Sequence, residues 1–136
     1  MKNKIPIFVK TSQISWGVIT TANTAKDGTG TVVTVFTGGT DDSFVKNIVV
    51  RALGTNTATV LRLFLNNGLT NATAANNSLY KEYTIPATTL SETAALVEMV
   101  FPLNEFIPSG YKINATIGTT IAAGIHVTAI GGSYTD

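Results

Sequence analysis

A chain of 136 residues of which only 12% are charged, with nine Lys and Arg against eight Asp and Glu, fits one domain with a real apolar core and is too short for two. The charges fall singly, so there is no basic stripe of the kind a phosphate backbone requires, and nucleic acid is not expected as a partner. Cysteine is absent, which removes disulfides, thiolate metal sites and a Cys nucleophile.

Polarity comes instead from 23 threonines, 12 glycines and 11 asparagines. No segment approaches the roughly 20 consecutive apolar residues of a membrane-spanning helix, so no membrane partner is expected. The opening MKNKIPIFVKTSQ carries lysines, but its apolar stretch, Ile5 to Val9, is shorter than the roughly 7 residues at which a signal-peptide core begins. The expectation is synthesis in the cytosol without an encoded export route. Residues 1–12 read as an N-terminal arm or edge strand ahead of a single β-sandwich domain over 13–136. Pro6 suits an edge or an extended arm. An apolar arm made of Ile5, Pro6, Ile7, Phe8 and Val9 either covers its own domain or adds to a neighbour's exposed edge.

Beyond the arm, short runs rich in Thr, Val, Ile, Tyr and Phe alternate apolar with polar residues, a β pattern throughout. Strands are predicted over 14–20, 31–37, 44–53, 58–66, 78–85, 94–101, 111–117 and 123–130. The intervening KDGTG, TGGTDD, GTNT, IPATT, IPSG and GTT carry the Gly, Pro, Asn and Asp that turns need. Trp16, in the first strand, is expected to pack in the core or at an end of the sandwich, with a partner-facing anchor as the alternative. In the fourth strand Leu61, Leu63 and Leu65 share one face and Val60, Arg62 and Phe64 the other, a mixture that fits cover on both sides. The following stretch, 66–77, is small and polar, its Asn and Thr side chains able to bond their own backbone into a compact excursion. SETAALVEMVF has a possible helix cap in Ser91, but the alternation of Val97, Met99 and Phe101 favours a strand. In the seventh strand Tyr111, Ile113, Ala115 and Ile117 are expected inward, with Lys112, Asn114 and Thr116 facing water. Eight strands without a convincing long helix predict an all-β antiparallel sandwich, jelly-roll-like, with an immunoglobulin-like sandwich as the alternative order.

Reactive groups are thin along these elements. The single histidine, His126, has no G-x-S-x-G serine to serve, and its strand places it opposite the face of Ile125 and Val127. Glu82, Glu92, Glu98 and Glu105 stand singly in different elements, whereas a glycosidase needs two carboxylates across a cleft. Asp27, Asp41 and Asp42 lie in turns where calcium could be held, but no EF-hand spacing surrounds them and turn-forming roles fit better. No phosphate-binding glycine loop appears, and no cofactor is expected. The expectation is therefore a non-enzymatic protein.

The segments TANTAKDGTG, VFTGG, VVRALGTNTATVLRLFLNNG, ANNSLYKEYTIPATTLSETAAL and PLNEFIPSGYKINATIGTTIAAGIHVTAIGGSY resemble a family of small proteins encoded by tailed bacteriophages and prophages. The likeness runs from Thr21 to Tyr134 and is strongest in ALGTN, LRLFLNNG, IPATT and the closing GGSY. It implies a virion component, a capsid decoration or other head-associated structural protein at the capsid surface. Its expected partners are copies of itself, as a trimer, and the major capsid protein or another virion protein. Ile5, Pro6, Ile7, Phe8, Val9 and Trp16 are the candidate partner-binding residues. The alternative is a carbohydrate- or receptor-binding jelly-roll module, for which Trp16, Tyr80, Tyr83, Tyr111 and Tyr134 are the available Trp and Tyr side chains.

Overall fold

The computed structural model describes residues 8–134, so Ile5, Pro6 and Ile7 of the expected arm lie outside the described residues. Eight strands form, one on each predicted run: β1 Thr11–Ile19, β2 Val33–Thr37, β3 Ser43–Ala52, β4 Thr59–Asn66, β5 Asn77–Ile85, β6 Glu98–Ile107, β7 Lys112–Ile117 and β8 Ile125–Ser133. A three-residue 3-10 turn, Ala74–Asn76, interrupts the β4–β5 connection.

The strands make two four-stranded sheets, sheet A in the order β1-β8-β3-β6 and sheet B in the order β2-β7-β4-β5. Every strand pair within them is antiparallel. The pairs β1/β8, β2/β7, β3/β6 and β4/β5 are those of one long hairpin, and the added pairs β3/β8 and β4/β7 arise when that hairpin is rolled up. This is the strand order of a jelly roll, with the Asn- and Thr-rich stretch of 66–77 at the hairpin's tip.

Alternation drives one face of each strand into the core. Ile48, Val50, Val127 and Ala129 of sheet A meet Leu61, Leu63, Ile113 and Ala115 of sheet B, all of them fully buried. A bulge in β2 turns two successive residues, Val35 and Phe36, inward. One side of the sandwich is closed where the Ser15 hydroxyl and the Gln13 amide of β1 donate to the Val35 and Thr37 carbonyls of β2. On the other side Tyr83 of β5 stacks on Phe101 of β6, ring centroids 3.7 Å apart.

Three expectations are corrected. Asn114 and Thr116 do not face water: they are 3% and 1% exposed, and Lys112 is half-buried, whereas Tyr111, expected inward, lies just ahead of β7 and is exposed. Their side of sheet B, which also carries the buried Arg62 and Phe64, lies beneath loops 20–32 and 67–76. β6 begins later than predicted and runs on to Ile107, through Pro102, because it is an edge strand on which a residue without an N–H loses no ladder bond. Ser91 caps no helix, in line with the strand reading; its hydroxyl accepts from the Thr93 N–H in a local turn.

Candidate interaction surface

The third correction is Trp16, which is not in the core: it is 62% exposed. The cause is the phase of β1. Ser15 and Ile19 face inward, so Ile14, Trp16 and Val18 all project from the outer face of sheet A, and all three are exposed. Register carries this apolar character across the sheet. Ile14 lies beside Ile130, Trp16 beside Thr128, and Val18 beside His126. The Trp16 row continues through Val49 of β3 to the exposed Val100 of β6, and the Ile14 row through Asn47 to the exposed Pro102. The Val18 row ends in the ion pair of Arg51 with Glu98, which sets a charged margin.

The other end of this outer face is aromatic. Phe44 and Phe106 have ring centroids 5.3 Å apart, and Tyr134 stacks on Phe106 at 6.3 Å. Phe106 is 68% exposed. With Lys10, Asp41, Asp42 and Pro108, Phe106 and Tyr134 line an open groove of about 680 Å³. Of the arm, Val9 lies directly on Gly132 in the same row as Phe44: a Cβ on that glycine would stand 1.8 Å from Val9 Cγ1. Phe8 is exposed. The structure therefore brings Val9 and Trp16 to one outer face, together with Ile14, Val18, Val100 and Phe106, which sequence reasoning did not single out. The period-2 pattern contained that signal, since Ile14, Trp16 and Val18 share a parity with Ser12.

The outer face of sheet B has the opposite character, because loops fill it. Asn77 is the hub. Its Nδ2 lies within hydrogen-bond distance of the Asp27, Asn71 and Thr73 carbonyls, and its Oδ1 accepts from Asn66. Asn71 donates to the Gly28 and Gly30 carbonyls, and Asn23 to those of Thr29 and Thr31. Gly28 has φ +77°, and a Cβ there would sit 2.7 Å from that of Asn77, so only glycine lets the loops approach this closely. The polar tip is thus a clasp between two loops. Tyr111 is exposed beside Asn67 and Asn76, but the Asn67 amide donates to Asn76 and the Asn76 amide to the Thr70 carbonyl.

Charged groups are spent locally. Asp27 accepts from the Thr29 hydroxyl and N–H, which hold its carboxyl below the usual carboxylate range, and Asp42 accepts from the Ser109 N–H. Arg62 donates from Nε to Glu82 at 2.7 Å. Arg62 Nη1 and the Thr116 hydroxyl, on residues opposite each other in register, are enclosed without a hydrogen-bond partner among the described residues. Burial above all, with the Glu105 carboxylate nearby, holds the Tyr80 hydroxyl well above its ordinary pKa. Among the described residues no three His, Asp or Glu side chains gather as metal ligands. Comparison of the chain with protein-family models, curated proteins and solved structures found no match.

Proposed function

We propose that this protein is a non-enzymatic virion subunit of a tailed phage. In this reading it is a capsid decoration or other head-associated protein, made in the host cytoplasm, that self-associates and binds the shell of major capsid protein. The observation that carries the reading is the outer face of sheet A, where Ile14, Trp16, Val18, Val100 and Phe106 stand exposed on one rigid four-stranded surface. A soluble monomer rarely leaves so continuous an apolar face uncovered. Each such side chain, once buried, contributes on the order of 1.5–3 kcal/mol. The phage setting is supported by the sequence resemblance between Thr21 and Tyr134, and the jelly roll is an architecture that capsid and lectin domains both use, an analogy of fold and no more.

The test is sedimentation of the purified protein with empty shells assembled from the major capsid protein. Near-stoichiometric co-sedimentation that survives high salt and is lost in Trp16→Lys is the expected result. Shells that pellet alone, or binding indifferent to both Trp16→Lys and Phe106→Lys, overturns the reading. Specific hits on a glycan array would favour a carbohydrate module in its place.

A further inference from the structure

A jelly roll of this order has four edge strands, and three of them are blocked. β6 carries Pro102 and places Leu103 and Asn104 opposite the single Lys46, with Asn104 at φ 52°. β5 has a bulge at Tyr80 followed by Lys81. β2 is five residues long, is bulged at Val35, and has its Val35 and Thr37 carbonyls taken by side chains of β1. Bulges, prolines, lysines and short length are the devices that keep edges from pairing. β1 has none of them. Its nine residues run in unbroken register against β8 from Thr11↔Ser133 to Ile19↔Ile125, and among the described residues no strand pairs with the other side of its Gln13–Ile19 stretch.

This open edge bears a self-complementary stripe. Ile14, Trp16 and Val18 project from the outer face, large and apolar on either side of a central Trp. We propose that β1 pairs antiparallel with β1 of a second copy about a two-fold axis through Trp16, joining the two sheets A into one eight-stranded sheet. That register sets Trp16 opposite the partner's Trp16, and Ile14 opposite the partner's Val18 in both directions, so every outer-face pair is apolar. Moving the axis by one residue, to Ser15, sets Val18 opposite Ser12 and breaks the match. A two-fold contact is the self-complementary kind, and aromatic and β-branched cross-strand pairs are among the more stabilising. The overlap runs from Gln13 to Ile19, about 24 Å, and at roughly 15 Å deep it buries on the order of 700 Å² in total, below the roughly 1,200 Å² of a specific stable interface and in the range of weak, transient ones. The pair is therefore concentration-dependent.

The inference rests on reading the outer face of sheet A as an interface, but not on what else binds there. Because the chain has no cysteine, introduced ones report without background. Opposite residues in an antiparallel pair have Cα atoms about 4.5–5.5 Å apart, within the range of about 4.4–6.8 Å that a disulfide spans. Ile14→Cys and Val18→Cys, each checked for native circular dichroism, are oxidised with diamide alone and as a mixture. The expected result is a covalent dimer in the mixture alone, because two copies of position 14 lie about 13 Å apart along the pair. Sedimentation equilibrium of the unsubstituted chain should give two chains, dissociating on dilution. Three chains per particle, the number expected from the sequence, overturns the pairing. So does a monomer at millimolar concentration, or an equal cross-link from Val100→Cys on the far edge. A monomer that still binds shells through Trp16 removes the pairing and leaves the proposed function; a β1 pair that binds no shell does the reverse.

Discussion

At Asn77 a single side chain holds two loops, bonding the tip of the β4–β5 hairpin to the β1–β2 loop and to Asn66. Asn77→Ala removes these bonds together but leaves water able to reach part of the site, since Asn77 is half-buried. At roughly 1 kcal/mol per net hydrogen bond, the expected loss is about 2 kcal/mol, read as a lower urea midpoint at unchanged slope. Tyr80 is the reverse case. Its hydroxyl is enclosed, with the Glu105 carboxylate nearby as an acceptor but no well-formed bond to it, so Tyr80→Phe should change stability by no more than about 1 kcal/mol. The pH dependence follows from the direction of the shift. The folded pKa lies above the unfolded value near 10, so the contribution is fully present below that value and is lost as pH rises through the folded pKa. Thermal melts from pH 8 to 11.5 should show the natural protein losing stability above about pH 10, and Tyr80→Phe losing less. Tyr83, also raised by burial, accounts for part of the slope that stays.

At the scale of elements, the two outer faces separate cleanly by substitution. Phe64 lies on the outer face of sheet B yet is fully buried beneath the loops, so Phe64→Ala should cost about 3–5 kcal/mol. Trp16 on the outer face of sheet A is exposed, and Trp16→Lys should leave monomer stability within about 0.5 kcal/mol, measured at a concentration where the chain is monomeric. All eight strands were legible from period-2 alternation and turn residues, because those signals are local. What covers a face was not. Asn114 and Thr116 read as solvated because their cover comes from loops distant in sequence, and the clasp at Asn77 joins residues 50 positions apart. Trp16 was misplaced for a related reason: a lone Trp usually packs, and it takes the inward Ser15 bond to Val35 and the burial of Ile19 to show which side of β1 is the core. The sixth strand was predicted to stop at Phe101, and its continuation through Pro102 depends on that proline lying on an edge, a matter of strand order that alternation leaves open. The open edge of β1 could be seen only against three blocked ones.

For the whole molecule, the sparse charges determine how assembly responds to solution conditions. With nine cations against eight anions, and with Arg51 and Arg62 already paired to Glu98 and Glu82, little charge is left to steer or oppose contact. Screening at 1 M salt shortens the Debye length to about 3 Å, which abolishes forces between exposed charges and leaves apolar burial intact. Self-association should therefore change less than about threefold between about 0.05 and 1 M sodium chloride, whereas an interface built on exposed ion pairs would weaken steadily over that range. Burial of the Trp16 stripe also carries a negative heat-capacity change, so the association enthalpy should become more favourable on warming. Because only the folded chain offers the paired edge, association is linked to folding, and the melting temperature should rise with protein concentration. Dilution calorimetry at three temperatures and two salt concentrations reads the first two effects together. A steep salt dependence would move the contact away from the outer face of sheet A and toward the charged residues at its margins.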